Sequence, residues 1–156
     1  MNDKKYLQEA LNLARKGMKS GAGGPFGAVI VRNGEIVGRG YNSVTSTNDP
    51  TAHAEVVAIR DACKNLGSFQ LDDCVLYTSC EPCPMCLGAI YWARPLRFVY
   101  ASSRKDAADG GFDDDFIYRE IPMLPRDRSI KATQSMREEG NLLFEEWIKM
   151  EDRTEY

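Results

Sequence analysis

Two short stretches, roughly thirty residues apart, constrain the fold more than anything else in the chain. The first, Pro50-Thr51-Ala52-His53-Ala54-Glu55, holds the only histidine. The second, Ser79-Cys80-Glu81-Pro82-Cys83-Pro84-Met85-Cys86, holds three of the five cysteines. Proline suits the first position of a helix, where its missing N–H costs nothing. Cys83 and Cys86, three apart across Pro84, therefore fall on one side of a first helical turn. Two thiolates and one imidazole make a three-donor zinc site with the fourth tetrahedral position open, which is the arrangement of catalytic zinc. A fold that uses these residues together must bring the start of one helix, near 53, to the start of another, near 84.

Thr51 as N-cap would put His53 and Glu55 in a first turn, where side chains lean toward the helix start. Each helix N-terminus carries about half a positive charge. Two of them facing one ion would partly offset the charge that two thiolates take from Zn²⁺, keeping its water acidic near a pKa of ~7. Glu55 is not needed as a ligand and would be available to carry protons. Other uses of these residues remain open. A lone histidine at a helix start serves as a cap. A Cys-x-x-Cys serves as a redox pair, although no thioredoxin-like context surrounds this one. Cys80 with Cys83, Cys86 and His53 would close a structural Cys₃His site, which leaves Glu55 idle. Cys63 and Cys74 read as core, since free cysteine is among the most buried residue types.

The hydrophobic pattern supplies the frame. Leu7, Ala10, Leu11, Ala14 and Met18 mark one face of a first helix, stopped near Gly21-Ala22-Gly23-Gly24. Asn33-Gly34 between two β-rich runs predicts a hairpin with a type I′ turn. A second helix runs from the Thr51 cap to about Leu66, and CVLYTS (74–79) reads as a buried strand. A third helix runs from about Pro84 to before Pro95, and LRFVYAS is a further strand. SIKATQSM (129–136) predicts a last strand, and Leu143, Phe144, Trp147, Ile148 and Met150 mark a C-terminal helix. This order predicts an α/β fold, a three-layer α/β/α sandwich around a mixed five-stranded sheet. The 156 residues carry no repeat and no linker, so one domain spanning 1–156 is expected.

Composition narrows the partners. A net charge of -3 and a pI near 5.3 disfavour nucleic-acid binding, which ordinarily leaves a basic footprint. No apolar run approaches the ~20 residues of a membrane span. The N-terminus reads as an amphipathic helix rather than a secretory signal. Clustered, odd-numbered cysteines suit metal work better than disulfides. A cytoplasmic protein without membrane partners is expected.

His53-Ala54-Glu55 and Pro82-Cys83-Pro84-Met85-Cys86 match the H-x-E…P-C-x-x-C signature of zinc deaminases, in which the glutamate is the acid/base and not a ligand. Through GGPFGAVIV, NDPTAHAEV, LYTSCEPCPMCLGAIYWARP, GGFDDDFIY and a Glu-Tyr C-terminus, the chain resembles bacterial guanine deaminases of the cytidine-deaminase-like superfamily. The first three stretches are found in part in tRNA adenosine deaminases. The resemblance implies a cytidine-deaminase-like fold and one Zn²⁺ per chain on His53, Cys83 and Cys86. It implies hydrolytic deamination of guanine to xanthine and ammonia, with zinc-activated water as nucleophile and Glu55 as proton shuttle. Asn42, Ala54 and Phe26 would contact the base, and Asp114 would both recognise it and shuttle a proton. Tyr156 would close the pocket of a partner in a homodimer, carried there by an exchanged C-terminal segment of about residues 137–156. By composition alone, the Asp113-Asp114-Asp115 run reads as a solvated turn, and Phe26 as core. Deamination of tRNA adenosine, or of another amino-heterocycle such as an aminotriazine or cytosine, would use the same zinc chemistry.

Overall fold

The structure, a computed structural model, describes residues 2–156 and divides into two compact units, one ending at Asp114 and one beginning at Asp115. The first unit runs α1 (Asp3–Lys19), β1 (Gly27–Arg32), β2 (Glu35–Tyr41), α2 (Val44–Thr47), α3 (Ala54–Leu66), β3 (Cys74–Cys80), α4 (Pro84–Ala93), β4 (Arg97–Ser102) and α5 (Arg104–Asp109). Asn33 and Gly34 both take positive φ, 52° and 84°, as the type I′ turn requires, and β1 and β2 pair antiparallel around them. β3 lies antiparallel on the other side of β1, and β4 runs parallel to β3, giving the order β2-β1-β3-β4.

Side chains alternate across a strand, and here each set finds its own helical layer. Ala28, Ile30, Cys74 and Leu76 pack with Ala58 and Ala62 of α3 and with Ile90 and Ala93 of α4. Val29, Val31, Val75 and Tyr77 pack with Tyr6 of α1. Helices thus cover both faces of a mixed sheet, as the expected three-layer sandwich has them. The buried stripe of α1 is Tyr6, Ala10, Ala14 and Gly17. Met18, expected on that stripe, is 47% exposed, because Gly17 makes the close approach to Tyr41.

The sheet has four strands, not five. SIKATQSM forms no strand. It lies in the second unit, where no other strand exists among the described residues to supply a ladder. The second unit consists of α6 (Asp115–Glu120), a 3₁₀ turn at Pro125–Asp127 and α7 (Arg137–Lys149). Among the described residues no helix is long and apolar enough to cross a membrane.

One close contact positions the chemistry. A Cβ added at Gly40 on β2 would lie 2.6 Å from the Ala58 amide nitrogen and 3.0 Å from Val57 Cβ, and closer still to the Ala54 carbonyl oxygen. At Gly38, one step along the same face, the added carbon would meet Ala58 and Ala62. The start of α3 is therefore seated directly on the β2 backbone.

Candidate metal centre and adjoining cavity

α3 begins two residues later than the sequence suggests. Its N-cap is His53 (φ -72°, ψ 153°) and not Thr51. The Thr51 amide and hydroxyl both donate to Asp49 Oδ1, at 2.8 and 2.7 Å, so that hydroxyl closes a turn ahead of the helix instead of capping it. The His53 side chain makes no cap hydrogen bond. Cys83 is the N-cap of α4, with Pro84 next, and its sulfur accepts from the Cys86 amide at 3.5 Å. Two helix N-termini thus converge, as the two motifs required.

His53 Nδ1 stands 3.4 Å from Cys83 Sγ and 3.5 Å from Cys86 Sγ. All three donor atoms lie within 4.8 Å of one another. Zinc–sulfur bonds of ~2.3 Å and a zinc–nitrogen bond of ~2.0 Å at a tetrahedral angle put sulfur and nitrogen about 3.5 Å apart. The donors therefore fit one zinc ion. Cys80 is not among them. Its thiol donates to the Ser103 carbonyl at 3.6 Å, and burial pushes it up to about 11, so it stays a protonated thiol. The fourth position has no protein donor among the described residues.

The electrostatics agree with this division. The Cys86 thiol donates to Cys83, which together with the His53 hydrogen bond holds Cys83 well below the ordinary thiol range. Donation to Cys83, with burial, raises Cys86 in turn. The hydrogen bond with Cys83 raises His53 against the opposing effect of burial. A divalent cation bound by these donors would displace the protons they carry. Glu55, in the first turn of α3, is buried, and burial raises its carboxyl above the usual range. A raised carboxyl beside a metal site suits a group that must alternately take and give a proton.

A cavity of about 420 Å³ opens beside these residues, lined among others by Phe26, Asn42, His53, Glu55, Cys83 and Asp114. Asn42 is oriented by its surroundings: Oδ1 accepts from the Gly24 and Val44 amides, both at 3.2 Å. The amide NH₂ is the half left to face a ligand, so Asn42 offers donors rather than the donor and acceptor its chemistry allows. Phe26 meets Phe112 edge-on, with centroids 4.9 Å apart and planes at 88°. Asp114 is half-buried, and desolvation raises its carboxyl while nearby Arg104 opposes the rise. Ala54 is fully buried and is not among the lining residues. Tyr156 belongs to the second unit.

Four lining residues carry information the sequence reading missed. Phe112, Arg104 and Glu81 share the cavity wall, and the Arg104 amide donates to the Glu81 carboxylate at 2.9 Å. The run ending in Asp114 follows α5, whose start is fixed by a Ser103–Asp106 capping box. Thr45 lines the wall from α2. Deeper, Thr78 of β3 donates from Oγ1 to Glu55 Oε1 at 3.3 Å. A lone threonine in a strand otherwise rich in β-formers gave no signal for such a contact.

Two thiolates and an imidazole with an open position, beside a buried carboxylate, make a metal-dependent hydrolytic centre. Residues 1–102 match the family model of the cytidine and deoxycytidylate deaminase zinc-binding region, and the chain belongs to that family. It is 56% identical to the guanine deaminase of Bacillus subtilis, over all of both chains. The solved structure of that enzyme superposes with a TM-score of 0.97, covering 100% of this chain and 99% of the other. The tRNA-specific adenosine deaminase of Aquifex aeolicus is 36% identical, over 96% of this chain and 95% of its own. A solved guanine deaminase from Nitrosomonas europaea is 32% identical with a TM-score of 0.67, covering 70% of this chain and 63% of that one.

Proposed function

We propose that the protein deaminates guanine hydrolytically to xanthine and ammonia. The observation that carries this reading is the cavity itself. An open three-donor metal site and a buried carboxylate share one small cavity with an amide donor and a second carboxylate. When bound at His53, Cys83 and Cys86, zinc supplies the Lewis acidity that makes water a nucleophile near neutral pH. Glu55 takes one proton from the attacking water and delivers it to the purine ring nitrogen, then carries the second proton of that water to the departing amino group, which leaves as ammonia. Asn42 donates to acceptor atoms on the base edge, and Asp114 accepts from its N–H groups. Phe26 and Phe112 form an aromatic wall against the ring. Adenine has no N1–H to give Asp114, whereas guanine has one, so the acidic wall favours guanine.

The wider charge pattern supports the same choice. Among the cavity-lining residues Arg104 is the one arginine or lysine, against Glu55, Glu81, Asp113 and Asp114. An RNA-binding active site needs cations to grip phosphates. The test measures ammonia release from free guanine and from an anticodon stem-loop. Turnover of guanine supports the reading, and turnover of the RNA alone overturns it.

The C-terminal segment, about residues 137–156, is the part of this proposal that involves a second copy. α7 buries none of its residues within the chain. Leu143, Phe144 and Ile148 are 67%, 69% and 65% exposed, and a helix with so apolar a face needs a cover. Tyr91 and Trp92 of α4 are likewise exposed. A homodimer that exchanges the C-terminal segments would cover α7 and bring Tyr156 to the partner's cavity. Sedimentation of the full chain beside a chain ending at residue 136 tests it: loss of the dimer and of turnover together is the expected result.

A further inference from the structure

We infer that Thr78 is a positioning residue for the Glu55 carboxylate. The inference rests on the reading of Glu55 as the proton carrier. Thr78 lies in β3 between Ala28 of β1 and Tyr100 of β4. It shares the strand face of Cys74 and Leu76, which pack against α3 and α4. Every other requirement at such a position is met by valine, which has the same shape and no polar atom to desolvate. A hydroxyl buried to 1% exposure in this layer is unfavourable unless it finds a partner. Its partner is Glu55 Oε1, 3.3 Å away across the sheet–helix interface.

The inventory of donors around Glu55 gives this contact its weight. Among the described residues Thr78 is the one side chain in hydrogen-bonding geometry with the Glu55 carboxylate. The Cys86 sulfur belongs to the metal donors and must give up its proton to serve a metal. The helix start that carries Glu55 cannot by itself fix the side chain against the sheet. Thr78 can, because its backbone is held in ladders on both sides and χ1 of a β-branched residue is stiff. The hydroxyl therefore anchors one carboxylate oxygen to the rigid layer and sets which way the other faces the cavity.

Thr78→Val, Thr78→Ser and Glu55→Gln are compared in the zinc-loaded full-length protein, with zinc content, melting temperature, kcat and KM measured for each, and the crystal structure of Thr78→Val determined. Thr78→Val is expected to keep one zinc per chain and a KM within about 2-fold of the parent. Its kcat should fall about 10- to 100-fold, the range lost when a reacting group drifts by a fraction of an ångström to one ångström. Glu55 should occupy a different or a mixed rotamer in its crystal structure. Thr78→Ser, which restores the hydroxyl, should recover most of kcat. Thr78→Ala serves if the valine variant melts early: it drops the hydroxyl without adding a methyl, and the same fall in kcat is expected. A parental kcat and an unmoved Glu55 in the hydroxyl-free variants, with Glu55→Gln inactive, would overturn the role of Thr78. An active Glu55→Gln would instead overturn the proton-carrier reading beneath it.

Discussion

Gly40→Ala tests whether the seat of α3 on β2 sets the geometry of the centre. The added methyl would stand 2.6 Å from the Ala58 amide nitrogen and 3.0 Å from Val57 Cβ, with the Ala54 carbonyl nearer still. Ordinary contact for such a carbon begins at 3.4 Å, and helix backbone cannot rotate aside. The first turn of α3 must therefore lift by roughly 1 Å, which overpacks the interface at about 1–3 kcal/mol. Restricting the unfolded chain returns about 0.4–1 kcal/mol. The net loss is about 1–2 kcal/mol, a fall in Tm of about 2–8 °C for a chain this size. The lifted turn carries His53 and Glu55 away from Cys83 and Cys86, and a displacement of that size costs about 10²-fold in kcat. Gly38→Ala is the control. It overpacks the same helix against Ala58 and Ala62, one turn further from the site. It should lose similar stability and far less turnover. Thermal melts with ammonia-release kinetics on both variants decide. A Gly40→Ala protein that melts and turns over like the parent refutes the seating, and equal activity losses in both variants refute its local effect.

Asn42→Asp keeps an acceptor for the Gly24 and Val44 amides but replaces the cavity-facing NH₂ with an oxygen; KM for guanine should rise at least about 10-fold with zinc content unchanged, as steady-state kinetics would reveal. Cys80→Ser should retain one zinc per chain by elemental analysis, since that thiol serves the Ser103 carbonyl. Cys74 carries a sign-definite pH effect. Burial first, then donation to Asp73, pushes its thiol up to about 11, whereas an unfolded thiol ionises near ~8.5. Its stabilising share is intact below the unfolded value and is lost as pH rises toward 11, at about 1.4 kcal/mol per pH unit. Denaturant melts of Cys74→Ala should therefore show a shallower alkaline decline than the parent; an identical decline contradicts the assignment.

Much of the site was readable because its residues are chemically rare and its spacings encode helix starts. One histidine, a proline-flanked cysteine pair and a glutamate two positions on admit few joint uses. Asn33-Gly34 fixed the hairpin for a similar reason, since few sequences accept two positive φ values in succession. Thr51 misled because Asp49 offers its hydroxyl a nearer partner, a competition that residue preference alone does not rank. SIKATQSM misled because alternation without a ladder partner is not a strand. Thr78 and the donor-only face of Asn42 were hidden, as both depend on contacts between residues far apart or on backbone amides with no sequence signature.

X-ray absorption at the zinc edge of the loaded, substrate-free protein tests the central claim most directly. Two sulfurs, one imidazole nitrogen and one light, exchangeable oxygen donor are predicted. Three sulfurs, or four protein donors with no exchangeable oxygen, would contradict an open hydrolytic centre and with it the reaction proposed for this fold.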